Sequence, residues 1–107
     1  MSRKIENQMV AAIRAGKTFK SGNTEVLQPA NGATEVRLHG NPILRYVPTV
    51  GWEWSLAGWN TPTTRSRINA AVRSLNWDIG VYCKGGKAYA TGPEAIPVHD
   101  DQWVRVF

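Results

Sequence analysis

The sequence predicts an α+β fold: an antiparallel sheet of about five to seven strands with two helices on one face, in the order α-β-β-β-β-α-β-β-(β). Three observations predict it. Two segments repeat apolar residues with helical spacing, at Ile5, Met9, Ala12 and Ile13 and again at Ile68, Ala71, Val72 and Leu75. The segments between and after them alternate apolar with polar residues. Glycine-containing turns separate the alternating stretches so closely that hairpins are the natural connection. With 107 residues and 42% apolar content, one compact domain over 1–107 is expected.

Taken in order, Ser2 is placed to cap the first helix, and Gly16 stops it in the position glycine takes after a helix. Residues 17–23 read as a polar loop. Thr24–Gln28 and Thr34–His39 read as strands joined across Pro29-Ala-Asn31-Gly32, where Asn-Gly is a hairpin signal. Gly40-Asn41-Pro42 breaks the pattern, and Ile43–Val47 resumes it. In 52–56 a period of two puts Trp52, Trp54 and Leu56 on one face, which predicts core tryptophans burying on the order of 200 Å² each.

The second helix is expected over roughly 63–75. A strand over 77–83 follows, with Trp77, Ile79, Val81 and Cys83 on one side. Lys84-Gly85-Gly86-Lys87 then predicts a tight hairpin in which Lys84 faces Lys87, Cys83 faces Ala88 and Tyr82 faces Tyr89. Val81, Cys83, Ala88 and Ala90 would form its inner side, with Cys83 a small packed hydrophobe. Gly92-Pro93 ends this ribbon. Residues 103–107 suggest a last strand with Trp103, Arg105 and Phe107 on a shared face.

Bulk properties narrow the function classes. The single cysteine, Cys83, excludes an internal disulfide, so nothing points to an oxidising compartment. The first residues are polar and no apolar run approaches the roughly 20 residues that span a bilayer. A soluble protein of the host bacterial cytoplasm is the expectation, with no membrane contact. Net charge is +5 and unevenly spread. Arg3, Lys4, Arg14, Lys17 and Lys20 face only Glu6 within 1–20. Arg65, Arg67, Arg73, Lys84 and Lys87 face only Asp78 within 61–90. Two basic segments converging on one surface would favour nucleic acid or an acidic partner.

The helix start at Thr61, Pro62, Thr63 and Thr64 concentrates that chemistry. Threonine hydroxyls cap free amides, and proline tolerates the first helical position. Arg65 and Arg67 then put positive charge at the positive end of the helix, which costs a few tenths of a kcal/mol, up to about 1. Hydroxyls, amides and guanidinium groups together suit an anion. Alternatively the arginines splay aside, stack on Trp59 or meet an acid elsewhere in the fold. The ribbon offers a second signal. Tyr82 and Tyr89 beside Lys84 and Lys87 could stack bases while ammonium groups meet phosphates, although such pairs also stabilise and solubilise hairpins unaided.

Enzymatic constellations are weak. His39 and His99 lack metal-type partners at helical spacing, and His99-Asp100-Asp101 reads as a solvated turn. No catalytic residue, metal or cofactor is predicted, and the protein is expected not to be an enzyme.

The segment Ala57-Gly58-Trp59-Asn60-Thr61-Pro62-Thr63-Thr64-Arg65-Ser66-Arg67-Ile68-Asn69-Ala70, followed by Trp77 opening a strand, resembles a pattern in small proteins of tailed bacteriophages and related mobile elements, with Gly-Trp-x-Thr-x-Thr-Thr-x-x-Arg-Ile-Asn as its core. The resemblance covers about a third of the chain and brings no catalytic residues. It implies a niche in which small phage proteins bind stoichiometrically to a host enzyme, a defence complex or nucleic acid; anti-CRISPR proteins occupy it. Two classes follow. One is an inhibitor of a host or CRISPR-type nucleoprotein complex, anchored by Arg65, Arg67, Arg73, Tyr82, Lys84, Lys87 and Tyr89, with Thr61, Thr63 and Thr64 as an anion-binding helix start. The other is a DNA- or RNA-binding protein using the same residues. Either would work as a monomer or homodimer. Salt separates them, because phosphate neutralisation gives a steep loss of affinity with salt and a shape-fitted protein interface a shallow one.

Overall fold

The computed structural model describes residues 3–28, 32–75, 79–91 and 95–106. Within them the chain forms the expected α+β fold, in the order read from the sequence. Helix α1 (Arg3–Ala15) is followed by strands β1 (Phe19–Ser21), β2 (Thr24–Leu27), β3 (Thr34–Leu38), β4 (Asn41–Val47) and β5 (Gly51–Trp54). Helix α2 (Pro62–Arg73), β6 (Val81–Lys84), β7 (Lys87–Ala90), β8 (Ile96–Val98) and β9 (Val104–Arg105) complete it.

The strands divide into two antiparallel sheets. Six make a meander, β1-β2-β3-β4-β5, closed on one edge by β9; three make the smaller sheet β6-β7-β8. Helix α1 lies over β1 and β2, while α2 touches α1, β4 and β6 and so joins the two sheets. Both helices insert their predicted stripes: Met9, Ala12 and Ile13 from α1 and Ile68, Ala71 and Val72 from α2 are buried. They pack with Val26, Val36, Leu44, Trp54 and Leu56 in one core. Trp52 is half-buried and leans on Tyr46 across the β4–β5 pair, ring centroids 5.2 Å apart.

Local sequence explains most boundaries. Gly16 ends α1 with φ 65°, and the Lys17 amide donates back to the Ala12 carbonyl at 3.0 Å. His39 and Gly40, both with positive φ, make the two-residue turn between β3 and β4, so β4 begins at Asn41 and includes Pro42.

Two stretches depart from the sequence reading. Residues 19–21, expected to be loop, pair with β2 through Phe19↔Val26 and Ser21↔Thr24. Ile96–Val98, not expected as a strand, pairs with β7 as the edge of the small sheet, a position at which proline is tolerated in a ladder. The Ser2 cap, Pro29–Asn31, Trp77, Gly92-Pro93 and Phe107 lie outside the described residues.

Candidate functional site

Helix α2 begins as the sequence requires. Thr61 is its N-cap, and its hydroxyl accepts from the Thr64 amide at 3.2 Å, with Pro62 at the first turn. The Thr61 and Thr64 hydroxyls also bond each other at 2.9 Å, and the Arg65 amide already donates to the Thr61 carbonyl at 3.0 Å. Thr64 is buried and Thr63 half-buried. The capping chemistry expected to hold an anion is therefore largely turned inward.

Arg67 is not a surface anchor. It is 4% exposed, its Nη1 donates to Glu6 at 2.8 Å and its Nε to the Thr24 hydroxyl at 3.0 Å. Ser66 donates to the same Glu6 carboxylate. Of the alternatives open for the two arginines, an acid elsewhere in the fold is the outcome for Arg67. A guanidinium this deep is held by paired charge and by donors that are met, and its role is to lock α2 onto α1 and β2.

Asn69 is the second lock, and it was not singled out from the sequence. Its Nδ2 donates to the Val81 carbonyl at 2.9 Å and its Oδ1 accepts from the Val81 amide at 2.7 Å. A side-chain amide thereby completes the β6 edge as a neighbouring strand would. Gly80 permits the approach, since a Cβ there would lie 2.9 Å from Asn69 Oδ1 and 3.3 Å from Arg73 Nη2. The distinctive Thr-Thr-x-x-Arg-Ile-Asn string is thus explained in large part by folding: Thr64 bonds the Thr61 cap, Arg67 and Asn69 tie, and Ile68 fills the core.

What remains outward gathers along a cleft of about 490 Å³ between α2 and β6. Arg65 and Arg73 line its helical wall, eight residues apart and therefore ~12 Å along the axis. Tyr82 and Cys83 line the opposite wall. Arg65 is held by donation to the Asn60 side chain, and Asn60 in turn donates to Cys83 Sγ at 3.8 Å. Behind the wall Tyr82 stacks on Tyr89, centroids 5.5 Å apart and planes 21° from parallel.

The ribbon has the expected register, with Cys83↔Ala88 and Lys84↔Lys87 at its tip. Cys83, however, is exposed rather than inward, while Val81 and Ala88 are buried. Beyond Val81 the strand runs past the anchoring bond from α2, so that side of it meets the cleft instead of the core.

Among the described residues, no carboxylate lies within ion-pair distance of Arg65, Arg73, Lys84 or Lys87. Glu6 is the acid on the cleft lining, and Arg67 already pairs with it. Lys87 also borders a separate hollow with His99, Asp100 and Asp101. His99-Asp100-Asp101 is a turn, with the Gln102 amide donating to the His99 carbonyl at 3.1 Å. No cluster of metal-ligating side chains occurs among the described residues. The arrangement offers fixed positive charge beside a stacked aromatic pair, which is binding chemistry.

Comparison with known proteins places the chain. The model of the family described as Kyanoviridae Gp96 protein matches residues 2–105, nearly the whole chain. The chain belongs to this phage protein family. No curated protein and no solved structure matches it.

Proposed function

We propose that this member of the Kyanoviridae Gp96 family is a stoichiometric binding protein that engages a nucleoprotein complex of the host or its defences, of the CRISPR type among them, through the basic cleft between α2 and β6. One observation carries the reading: Arg65 and Arg73 line a cleft with Tyr82, and the one acid on its lining among the described residues, Glu6, is neutralised from within. Uncompensated guanidinium groups beside an aromatic wall suit a phosphate backbone or an acidic protein face, and Arg and Tyr concentrate interface energy. Phage membership supports a small protein that acts by occupancy. No helix among the described residues is long and apolar enough to cross a membrane.

Direct binding of DNA or RNA is the second reading, favoured by the net charge of +5. The test is capture from the host, with and without nuclease, by the natural chain and by Arg65→Glu/Arg73→Glu. The expected result is a defined complex held by the natural chain and lost by the variant, with circular dichroism checking that the variant keeps its helix, since Arg73→Glu places an acid in the last turn of α2. Equal capture by both proteins overturns the cleft as the binding site. A complex released by nuclease, with a steep salt dependence, selects the second reading.

A further inference from the structure

A second cavity, of about 550 Å³, opens on the other flank of the α2 start. Its floor is apolar, made by the buried Leu38, Ile43 and Leu56. At its rim stands Trp59, 60% exposed, the most exposed large apolar side chain among the described residues. Burying an indole yields on the order of 200 Å² of apolar contact, and here the fold forgoes most of it.

Two tight turns shape this cavity. One carries His39 with φ 52°; the other carries Ala57 with φ 54° and closes with the Trp59 amide donating to the Leu56 carbonyl at 2.9 Å. These are the two non-glycine residues with left-handed backbone among the described residues, and both line the cavity. Such backbone is disfavoured for residues that carry a Cβ and concentrates where a site needs it. At Ala57 the strained turn is what carries Trp59 out to the rim.

We infer that this cavity takes an unpaired base of a single-stranded nucleic acid, stacked against the Trp59 ring. The inference rests on the polyanion reading of the neighbouring cleft. An apolar floor with one aromatic wall offers a stacking surface, and the Asn41 amide and Thr63 hydroxyl around it offer donors and acceptors to a heterocyclic edge. Among the described residues, no carboxylate lines the cavity. The cation nearest in the chain, Arg65, donates to Asn60, the residue after Trp59, and lines the neighbouring cleft rather than this cavity. Bases within a duplex are already stacked on both faces, so the site selects unpaired strands.

Fluorescence anisotropy with a labelled oligothymidine, an abasic phosphodiester of equal length and a duplex tests it, using the natural chain, Trp59→Ala, Trp59→Phe and Arg65→Glu/Arg73→Glu. Trp59→Ala should weaken oligothymidine binding about tenfold and erase its advantage over the abasic strand, while Trp59→Phe retains most of that advantage. Circular dichroism should be unchanged, since the side chain is largely in solvent. If the abasic strand binds as well as oligothymidine, or Trp59→Ala binds normally, the base site is overturned while the cleft stands. Strands that keep their affinity for the arginine variant overturn the cleft reading instead. Absence of binding to all three overturns the base site and leaves the cavity as a face for a protein.

Discussion

Asn69 closes both of its hydrogen bonds on the peptide groups of Val81, at 2.7 and 2.9 Å, and so docks the three-stranded sheet onto α2 by imitating a strand. Val81 is 2% exposed, so its amide and carbonyl lose their partner in a largely buried setting if the side-chain amide is removed. Buried groups left unpaired in this way cost about 1–3 kcal/mol each.

Asn69→Ala should therefore lower stability by about 2–3 kcal/mol in urea denaturation. Hydrogen exchange should locate the damage, with protection lost first across β6 and β7. An unchanged midpoint would mean that the sheet is held chiefly by its apolar contacts.

Arg67→Met should cost about 3–5 kcal/mol, because it strands the Glu6 carboxylate, only 13% exposed, without its partner. Replacing both, Arg67→Met with Glu6→Leu, should recover much of the loss, since an apolar pair carries no desolvation cost. If the double variant is no better than the single, the Ser66 and Thr24 bonds carry the junction instead.

Gly80→Ala should be destabilising by about 1–3 kcal/mol, although the new group is a single methyl. The atom it meets, Asn69 Oδ1 at 2.9 Å, cannot move aside without breaking its bond to the Val81 amide. The cost should shrink in an Asn69→Ala background, and a double-mutant cycle reads that coupling. Additive costs would disprove the steric link.

Cys83 should react with a thiol reagent in the folded protein at a rate close to that of the unfolded chain, because its side chain is exposed. Cys83 lies on the cleft wall, so a bound partner should slow the reaction. Labelling that occurs only on unfolding would restore the inward placement expected from strand alternation.

What the sequence made legible was local. The Gly85-Gly86 turn dictates the ribbon register, and the 3.6-residue stripe of Ile68, Ala71 and Val72 dictates which face of α2 is buried. Thr61 and Pro62 similarly mark the helix start. The misreadings required long-range knowledge. Arg67 meets Glu6 across 61 positions, a pairing no spacing rule contains. Phe19–Ser21 is too short to show alternation, and Pro97 disguised β8. Cys83 shares a side with buried Val81, and alternation alone cannot say where the covering helix stops. For the same reason the outward cations were half legible: among the described residues Arg65, Arg73, Lys84 and Lys87 have no carboxylate within ion-pair distance, whereas Arg67 was taken into the frame.

The bond between α2 and β6 grips main chain and ignores side-chain identity. What the ribbon displays at positions 82, 83, 84 and 87 is consequently separable from what keeps it in place. Substitutions at those positions should therefore change the surface the ribbon presents while leaving the two bonds that dock it untouched.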